Sequence, residues 1–309
     1  MTSKQHEQKC AVCDKLLTYE NLYEYIECPY CCSYIYTSDQ TAEDDNRSFY
    51  NSWFCFNKNS KYSVFKKKLF KLYAKKDKQY NRKEHLTLSR IQTEIDFVLQ
   101  KGNKILEIGF GEGRHLLKLL ESGYDAYGID ISEKAVSTFR QKFPKYKDRV
   151  QVGTSFSEKV DIVYFSALLE HIDDPKEFID NLSASLLRGG FLIINALPVV
   201  NESKSNITIS EDISFWKPCH RIIFSHRGLV RMLNDRGYLL TNSASADIYN
   251  YKLLSLHIKN GYSDIVNIRH SYIRSKTLPG VFKYFILCRE AFKIKSKALL
   301  GAYIFQKQY

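Results

Sequence analysis

No uninterrupted apolar run in this chain of 309 residues approaches the roughly 20 residues that a membrane-spanning helix needs. No span is therefore expected. The opening stretch, Met1 to Lys9, has no apolar h-region, so no secretory signal is expected either. No internal repeat is present, which argues against a repeat architecture. What remains is a chain expected in the cytosol. Its 44% hydrophobic and 26% charged residues are the balance of an ordinary globular protein. The length accommodates one α/β domain of about 200 residues and a smaller module.

The charge is unevenly spread. The formal net charge is +12, and between Lys58 and Lys83 eleven Lys/Arg residues face a single acid, Asp77. Such a surplus attracts RNA, anionic lipid or phosphorylated substrates, or is simply a solvated helix face. Four of the eight cysteines form two close pairs, Cys10-x2-Cys13 and Cys28-x2-Cys31. In a cytosolic chain this spacing favours a metal over disulfides. Four thiolates make a closed tetrahedral set for structural Zn2+ with no catalytic role. Cys32, beside Cys31, could shift the ligand assignment by one.

Three regions follow from the patterning: a cysteine- and tyrosine-rich module over 1–45, a basic helical linker or cap over 46–95, and an α/β domain over 96–309. Within the linker, Tyr62, Phe65, Leu69, Leu72 and Tyr73 fall at helical spacing. In the third region a helix is expected over Ile91–Gln100. Strands are expected at Lys104–Ile108, Ala126–Ile129, Arg149–Val152, Asp161–Phe165, Phe191–Ala196, from Tyr238 onward, and at Ala298–Phe305. Helices alternate with them at Arg114–Glu121, Glu133–Phe143, Pro175–Leu187 and from Ser225 or His226 to Asp235. This is the pattern of a parallel, doubly wound α/β sheet.

The segment Lys104-Ile-Leu-Glu-Ile-Gly-Phe-Gly-Glu-Gly-Arg114 runs from strand through a glycine turn into a helix. Gly109, Gly111 and Gly113 let the backbone turn tightly and approach a ligand. The dinucleotide fingerprint spaces its glycines differently and offers bare N–H groups to a pyrophosphate. Here Glu107 and Glu112 would repel a pyrophosphate but favour a cationic sulfonium and ammonium. The expected cofactor is therefore S-adenosylmethionine (SAM). Asp130 ends the second strand, where an acid can accept both ribose hydroxyls. The competing N-cap role there is already filled by Ser132.

With these motifs in place, residues 104–198 resemble a class I SAM-dependent methyltransferase of Rossmann-like fold. Val160-Asp-Ile-Val-Tyr-Phe-Ser-Ala-Leu-Leu-Glu-His-Ile-Asp-Asp-Pro175 is similar to that family's strand-four segment, and Leu187-Arg-Gly-Gly-Phe-Leu-Ile-Ile-Asn195 to its turn into strand five. The resemblance extends the cofactor site to Phe110, Ile131, Ser166 and Leu168. Gly153-Thr-Ser-Phe156 lacks the family's frequent adenine-binding acid. There a hydroxyl of Thr154 or Ser155 would substitute, with Phe156 stacking on the ring.

Two histidines are candidate proton acceptors for an attacking hydroxyl. His171 leaves strand four at the sheet's carboxyl edge. His220 follows a polar insertion, Asn201–Asp212, read as a lid, and Phe215-Trp216, read as an acceptor wall. A purely structural role for both remains open, since methyl transfer needs little beyond alignment. The Glu170-His171 segment also resembles ubiquinone-biosynthesis O-methyltransferases. Some of those carry an acid three residues earlier that completes a metal site; here that position is Ala167.

The cysteine pairs followed by Phe49-Tyr-Asn-Ser-Trp-Phe54 resemble the zinc-ribbon-bearing branch of sugar and glycan methyltransferases. The C-methylating members carry a further C-terminal domain that these residues lack, which favours O-methylation. The expectation is SAM-dependent O-methylation of a sugar, glycan or related small acceptor. The rivals are a zinc-knuckle RNA methyltransferase, a lipid-quinone O-methyltransferase and a non-catalytic SAM-binding protein. An Asn-Pro-Pro-Tyr-type motif is absent after strand four, which weighs against methylation of a base amine. The basic, aromatic run Leu278–Lys297 either lies on an anionic membrane, making the enzyme peripheral at its inner face, or covers the sheet with snorkelling lysines.

Overall fold

The computed structural model describes residues 5–22, 24–38, 98, 103–212, 214–215, 219–246, 289–290 and 293–309. The basic stretch, the helices expected around 62–76 and 91–100 (Val98 apart), the Phe49–Phe54 segment and most of the Leu278–Lys297 run lie outside these residues. No helix among the described residues is long and apolar enough to cross a membrane.

The amino-terminal module is two short hairpins. Strands β1 (His6–Lys9) and β2 (Leu16–Tyr19) pair antiparallel, as do β3 (Tyr25–Glu27) and β4 (Tyr34–Tyr36). Each turn is a Cys-x2-Cys knuckle, and both knuckles close alike. The N–H of Cys10 donates to the Lys15 carbonyl and that of Asp14 to the Cys10 carbonyl, each within 2.9 Å. The second knuckle repeats this with Cys28, Ser33 and Cys32 at 2.8 Å. The residue after each second cysteine, Asp14 (φ 62°) or Cys32 (φ 60°), takes the left-handed turn that closes the loop.

The rest is a seven-stranded sheet. Five parallel strands form its body: β5 (Lys104–Ile108), β6 (Asp125–Asp130), β7 (Val150–Val152), β8 (Val160–Ser166) and β9 (Leu186–Val200). The short strand β10 (Ile222–Ile223) belongs to the module's sheet. Beyond it come β11 (Tyr238–Ala246) and β12 (Ala298–Lys307). The spatial order is β11-β12-β9-β8-β5-β6-β7. β12 inserts antiparallel between β9 and β11. Strand order reverses between β5 and β8, the switch point at which open α/β sheets bind ligands.

Adjacent residues of the central strands point to opposite faces, and both faces are buried, as parallel strands require. Ile105, Ile162 and Ile193 pack with α1 (Arg114–Glu121) and α2 (Glu133–Lys142). Leu106, Val163 and Ile194 pack with α3 (Pro175–Ser183), α4 (His226–Asn234) and the cysteine module. The module is thus fused to the α/β core instead of standing apart. β4 continues into β10 as an antiparallel pair, Ile35 opposite Ile222.

The Rossmann-like doubly wound arrangement agrees with the sequence pattern, and most elements differ only by a residue or two. Helix α3 is the exception. It ends at Ser183, not Leu187, because Leu186 is drawn into the parallel ladder opposite Val160. β9 is correspondingly long, and a register shift where β12 pairs with it goes with Ala196 at φ 53°. The polar stretch Asn201–Asp212 is no free lid among the described residues. It is stitched to residues 293–297, with Asn201 Nδ2 donating to the Ser296 carbonyl at 2.9 Å and the Lys297 N–H donating to Asp212 Oδ2 at 2.6 Å.

Candidate active site

The glycine loop leaves the end of β5 at the switch point, and the Gly109 N–H donates to the Ile129 carbonyl of β6 at 2.8 Å. Its three glycines all have positive φ: Gly109 (68°), Gly111 (55°) and Gly113 (70°). At Gly113 a Cβ would also lie 2.3 Å from the Phe139 ring, so the loop and the α1–α2 packing both require glycine. Asp130, at the end of the adjacent strand, holds the loop. Its Oδ2 accepts the Gly111 N–H at 2.9 Å and its Oδ1 the Ser132 N–H at 2.8 Å. Burial pushes the carboxyl above its ordinary range, and those two N–H groups oppose the rise. Each oxygen keeps a lone pair for a further donor.

Glu107 is buried one residue before the end of β5. Burial raises its pKa, and His115, with Nδ1 3.3 Å from Oε2, works against the rise. His115 stacks on Tyr164 at 4.2 Å. Asn195 Nδ2 donates to the Tyr164 hydroxyl and to Ser166 Oγ, both at 3.2 Å. A polar chain therefore runs from Glu107 to Ser166 beneath the loop. Of its members, His115, Tyr164 and Asn195 escaped the sequence reading. For Tyr164 and Asn195 the signal was a polar group inside the apolar runs of β8 and β9; His115, on α1, carried no such signal.

The remaining expected cofactor residues divide. Leu168 lies against Gly109, its Cδ1 3.2 Å from the place of a Cβ there. Ile131 is 38% exposed beside Asp130. The side chain of Phe110 is turned into the core against Phe139, leaving its backbone to the loop. Ser155 has an exposed side chain, and its carbonyl accepts from Gln151 Nε2 at 3.0 Å. Phe156 is a correction to the stacking expectation. Its ring packs on Tyr127, 5.3 Å between centroids, and its carbonyl accepts from Ser185 just ahead of β9. Tyr127 in turn faces Lys104 at the start of β5. Phe156 is thus drawn toward the amino ends of the strands, away from the glycine loop. Glu112 is turned outward and paired with the exposed Arg114 at 2.6 Å.

The loop after β8 opens with Ala167 at φ 50°, a left-handed non-glycine residue. Such strain costs about 1–2 kcal/mol and gathers at functional sites. A 3-10 turn, Leu169–His171, follows at once. It carries the two residues that meet His220. The His171 and His220 rings lie edge to face, 4.8 Å apart. Each Nδ1 donates to a backbone carbonyl: His171 to Cys219 at 2.8 Å and His220 to Ser214 at 2.7 Å. Since a carbonyl only accepts, each neutral ring carries its lone pair on Nε2. Burial lowers His171 to about 3 and His220 to about 4, and it raises Glu170 to about 8.

The cysteine module holds His220 in that position. Tyr25 Oη donates to the His220 carbonyl at 2.6 Å. The Tyr36 N–H donates to the Arg221 carbonyl at 2.8 Å, and the Arg221 N–H to the Glu170 carbonyl at 2.6 Å. Residues 220–221 therefore form a link between module and β8 loop. Phe215, expected as an acceptor wall, packs edge-on against Tyr25 and Tyr34 of the module instead; Trp216 lies outside the described residues. A cleft of about 180 Å³ opens at this seam, lined in part by Lys9, Tyr36, Asp173 and Arg221.

Cys10, Cys13, Cys28 and Cys31 converge. Their Sγ atoms all lie within 4.8 Å of one another, with Cys10–Cys31 at 3.7 Å and Cys13–Cys28 at 3.6 Å. Zn–S bonds of about 2.3 Å in a tetrahedron place sulfurs about 3.8 Å apart. The four-cysteine cluster fits a zinc-ribbon-like module. The hydrogen bond between Cys10 and Cys31 holds the Cys31 thiol down at about 5. Cys32 stands outside the set, with Arg227 Nη2 3.3 Å from its sulfur.

A family model described as a methyltransferase domain matches residues 73–243, more than half of the chain. A ubiquinone biosynthesis O-methyltransferase of Coxiella burnetii is 26% identical over 104 residues, 31% of this chain and 44% of that protein. A tRNA U34 carboxymethyltransferase of Dichelobacter nodosus is 32% identical over 111 residues, 34% of this chain and 36% of that protein. The chain thus spans less than half the length of these curated relatives. Among solved structures, a magnesium protoporphyrin IX methyltransferase from Synechocystis with bound SAM superposes with a TM-score of 0.48 at 14% identity, over 88% of this chain and 100% of that one.

Proposed function

The chain belongs to the methyltransferase-domain family, and from that premise we propose that it transfers the methyl group of SAM to an oxygen of a small acceptor, a sugar or glycan hydroxyl. The observation that carries this reading is the pairing of two loops across the β5/β8 switch point. One bears the glycine cradle tied to Asp130. The other bears Leu168 against that cradle and, two residues on, the Glu170–His171–His220 cluster.

The residues suit a cationic cofactor. Gly109 and Gly111 put no Cβ at two positions of the loop, Asp130 has lone pairs left for the ribose hydroxyls, and the Glu107 carboxylate attracts the charge of the ammonium and sulfonium. Ile131 offers an exposed apolar face for the adenine. Backbone atoms of Phe110, Gly113 and the Ser155 segment complete the cradle, with Ser166 at its floor. When bound, SAM supplies an electrophilic methyl group. The protein's part is alignment of the acceptor oxygen and removal of its proton. His220 and His171, each neutral with its lone pair on Nε2, are the residues assigned to act on that oxygen. The module completes the site through Tyr25 and Tyr36, and Zn2+ on its four thiolates keeps both hairpins in shape.

The test uses purified protein, methyl-labelled SAM and a lysate of the source cells divided into RNA, lipid, polysaccharide and sugar-nucleotide fractions. Label in a carbohydrate fraction, lost with Asp130→Ala, supports the proposal. Label confined to RNA or to lipid overturns the acceptor class and turns attention to the basic 58–83 stretch. SAM binding with no label in any fraction makes the chain a binding protein.

A further inference from the structure

We infer that Glu170, His171 and His220 form a site for a divalent transition-metal ion, distinct from the four-cysteine set. Each residue offers one ligand atom, and the three atoms lie within 4.8 Å of one another, His171 Nε2 being 3.8 Å from Glu170 Oε1. Two imidazoles and one carboxylate suit Zn2+, Fe2+ or Co2+. The harder Mg2+ and Ca2+ prefer all-oxygen sets.

Two independent features suit the binding of a cation. The first is the orientation of the rings. Both give their Nδ1 proton to a backbone carbonyl, the support that metal-binding histidines use to aim Nε2. The second is Glu170. The residue is 1% exposed, and Oε2 has no hydrogen-bond partner. A buried carboxyl oxygen left bare is unfavourable unless something outside the chain meets it. Arg221, whose N–H donates to the Glu170 carbonyl, pairs its Nε with Asp173 at 3.0 Å. No Lys or Arg ion pair to Glu170 occurs among the described residues.

The distances are close to those of a loaded site. Metal bonds of about 2.0–2.2 Å set donor atoms about 3–3.5 Å apart, so the 3.8 Å pair closes by about 0.5 Å and the widest pair by less than about 2 Å. Small side-chain rotations would supply that movement. The Arg221 N–H to Glu170 carbonyl bond and the Tyr25 bond to the His220 carbonyl already join the segments that carry the three ligands. The ion would sit in the loop leaving β8, where it can polarise the acceptor's hydroxyl. This role, though not the binding itself, rests on the methyl transfer proposed above. With an ion bound, His171 and His220 would serve as its ligands in place of the proton-accepting role given them above, and the ion would supply the Lewis acidity.

The experiment uses the full chain, loaded with zinc in excess and desalted, with metal content measured by inductively coupled plasma mass spectrometry. Two ions per chain are expected, falling to one in the near-isosteric Glu170→Gln. The retained ion reports that this variant's cysteine module is folded. Because His220→Ala could disrupt the fold, the second measurement stays on the wild type. Co2+ exchanged into the weaker site should give d–d bands without a sulfur-to-cobalt charge-transfer band. One ion per chain in the wild type overturns the inference, as do two in Glu170→Gln or a sulfur band on the second cobalt. Two ions with the oxygen–nitrogen spectrum but no labelled acceptor would uphold the site and sink the proposed reaction.

Discussion

Ser225 is where the cysteine module and the α/β core share hydrogen bonds, and its removal gives a sharp test of their fusion. Its Oγ caps α4 by accepting the Gly228 N–H at 2.8 Å, and it donates to the Cys31 carbonyl. Its own N–H donates to Ser33 Oγ at 2.9 Å. Ser225→Ala removes an N-cap, about 1 kcal/mol. It also leaves the buried Cys31 carbonyl short of a donor, about 1–3 kcal/mol. The expected loss is about 2–4 kcal/mol. Ser33→Ala, by orphaning the Ser225 N–H, should cost about 1–3 kcal/mol. Because the two serines bond each other, the double variant should lose less than the sum of the singles, by about 0.5 kcal/mol or more. Urea unfolding of the zinc-loaded chain, followed by circular dichroism at constant m, measures all three. A Ser225→Ala cost below about 1 kcal/mol, or additivity within about 0.3 kcal/mol, would show that the module is only loosely attached.

Gly113→Ala should destabilise by about 2–5 kcal/mol, combining a left-handed φ with a clash on Phe139; a midpoint shift under about 1 kcal/mol refutes the geometry. Asp130→Ala should weaken SAM binding by about 1.5–3 kcal/mol, roughly 10- to 150-fold, in isothermal titration calorimetry; an unchanged affinity removes Asp130 from the cofactor site. Burial raises the Glu107 pKa, so affinity for a cationic cofactor should weaken as pH falls through that raised value and the carboxylate takes up a proton. The stability effect has the opposite sign. The folded chain holds this proton longer than the unfolded one, so stability falls as pH rises through the same window. Glu107→Gln should flatten both profiles, and a pH dependence that survives it assigns the effect elsewhere. Tyr25→Phe removes the bond to the His220 carbonyl, and kcat should fall by about tenfold while SAM affinity holds within about twofold; equal losses in both would mean a general loss of fold.

Much of the fold is local and could be read along the chain. The glycine loop, Asp130 after β6 and the Cys-x2-Cys pairs each express their chemistry within a few residues. Alternating apolar runs with turn signals placed the strands of the parallel sheet because both its faces are buried. The amphipathic helices followed for the same reason, each having one face to hide. Ser132 and Ser225 announced helix starts, and the structure has both accepting the backbone N–H three residues on.

Long-range pairing decided the rest. Leu186 belongs to β9 because Val160 lies opposite it, although its surroundings read as helix. Phe156 turned toward Tyr127 because the chain after β7 doubles back, and no local pattern shows the direction of a return. Asn201–Asp212 looked like a lid until residues 293–297 supplied its hydrogen-bond partners. The meeting of His171 with His220 has the same character. They are 49 positions apart in sequence, and they meet because β4 of the cysteine module pairs with β10 and holds Arg221 against the Glu170 carbonyl. The sequence alone determined which chemical groups the protein has and which local turns carry them. Which groups share a cavity was left to the tertiary structure, because hydrogen-bond ladders join residues by register in space and not by distance along the chain.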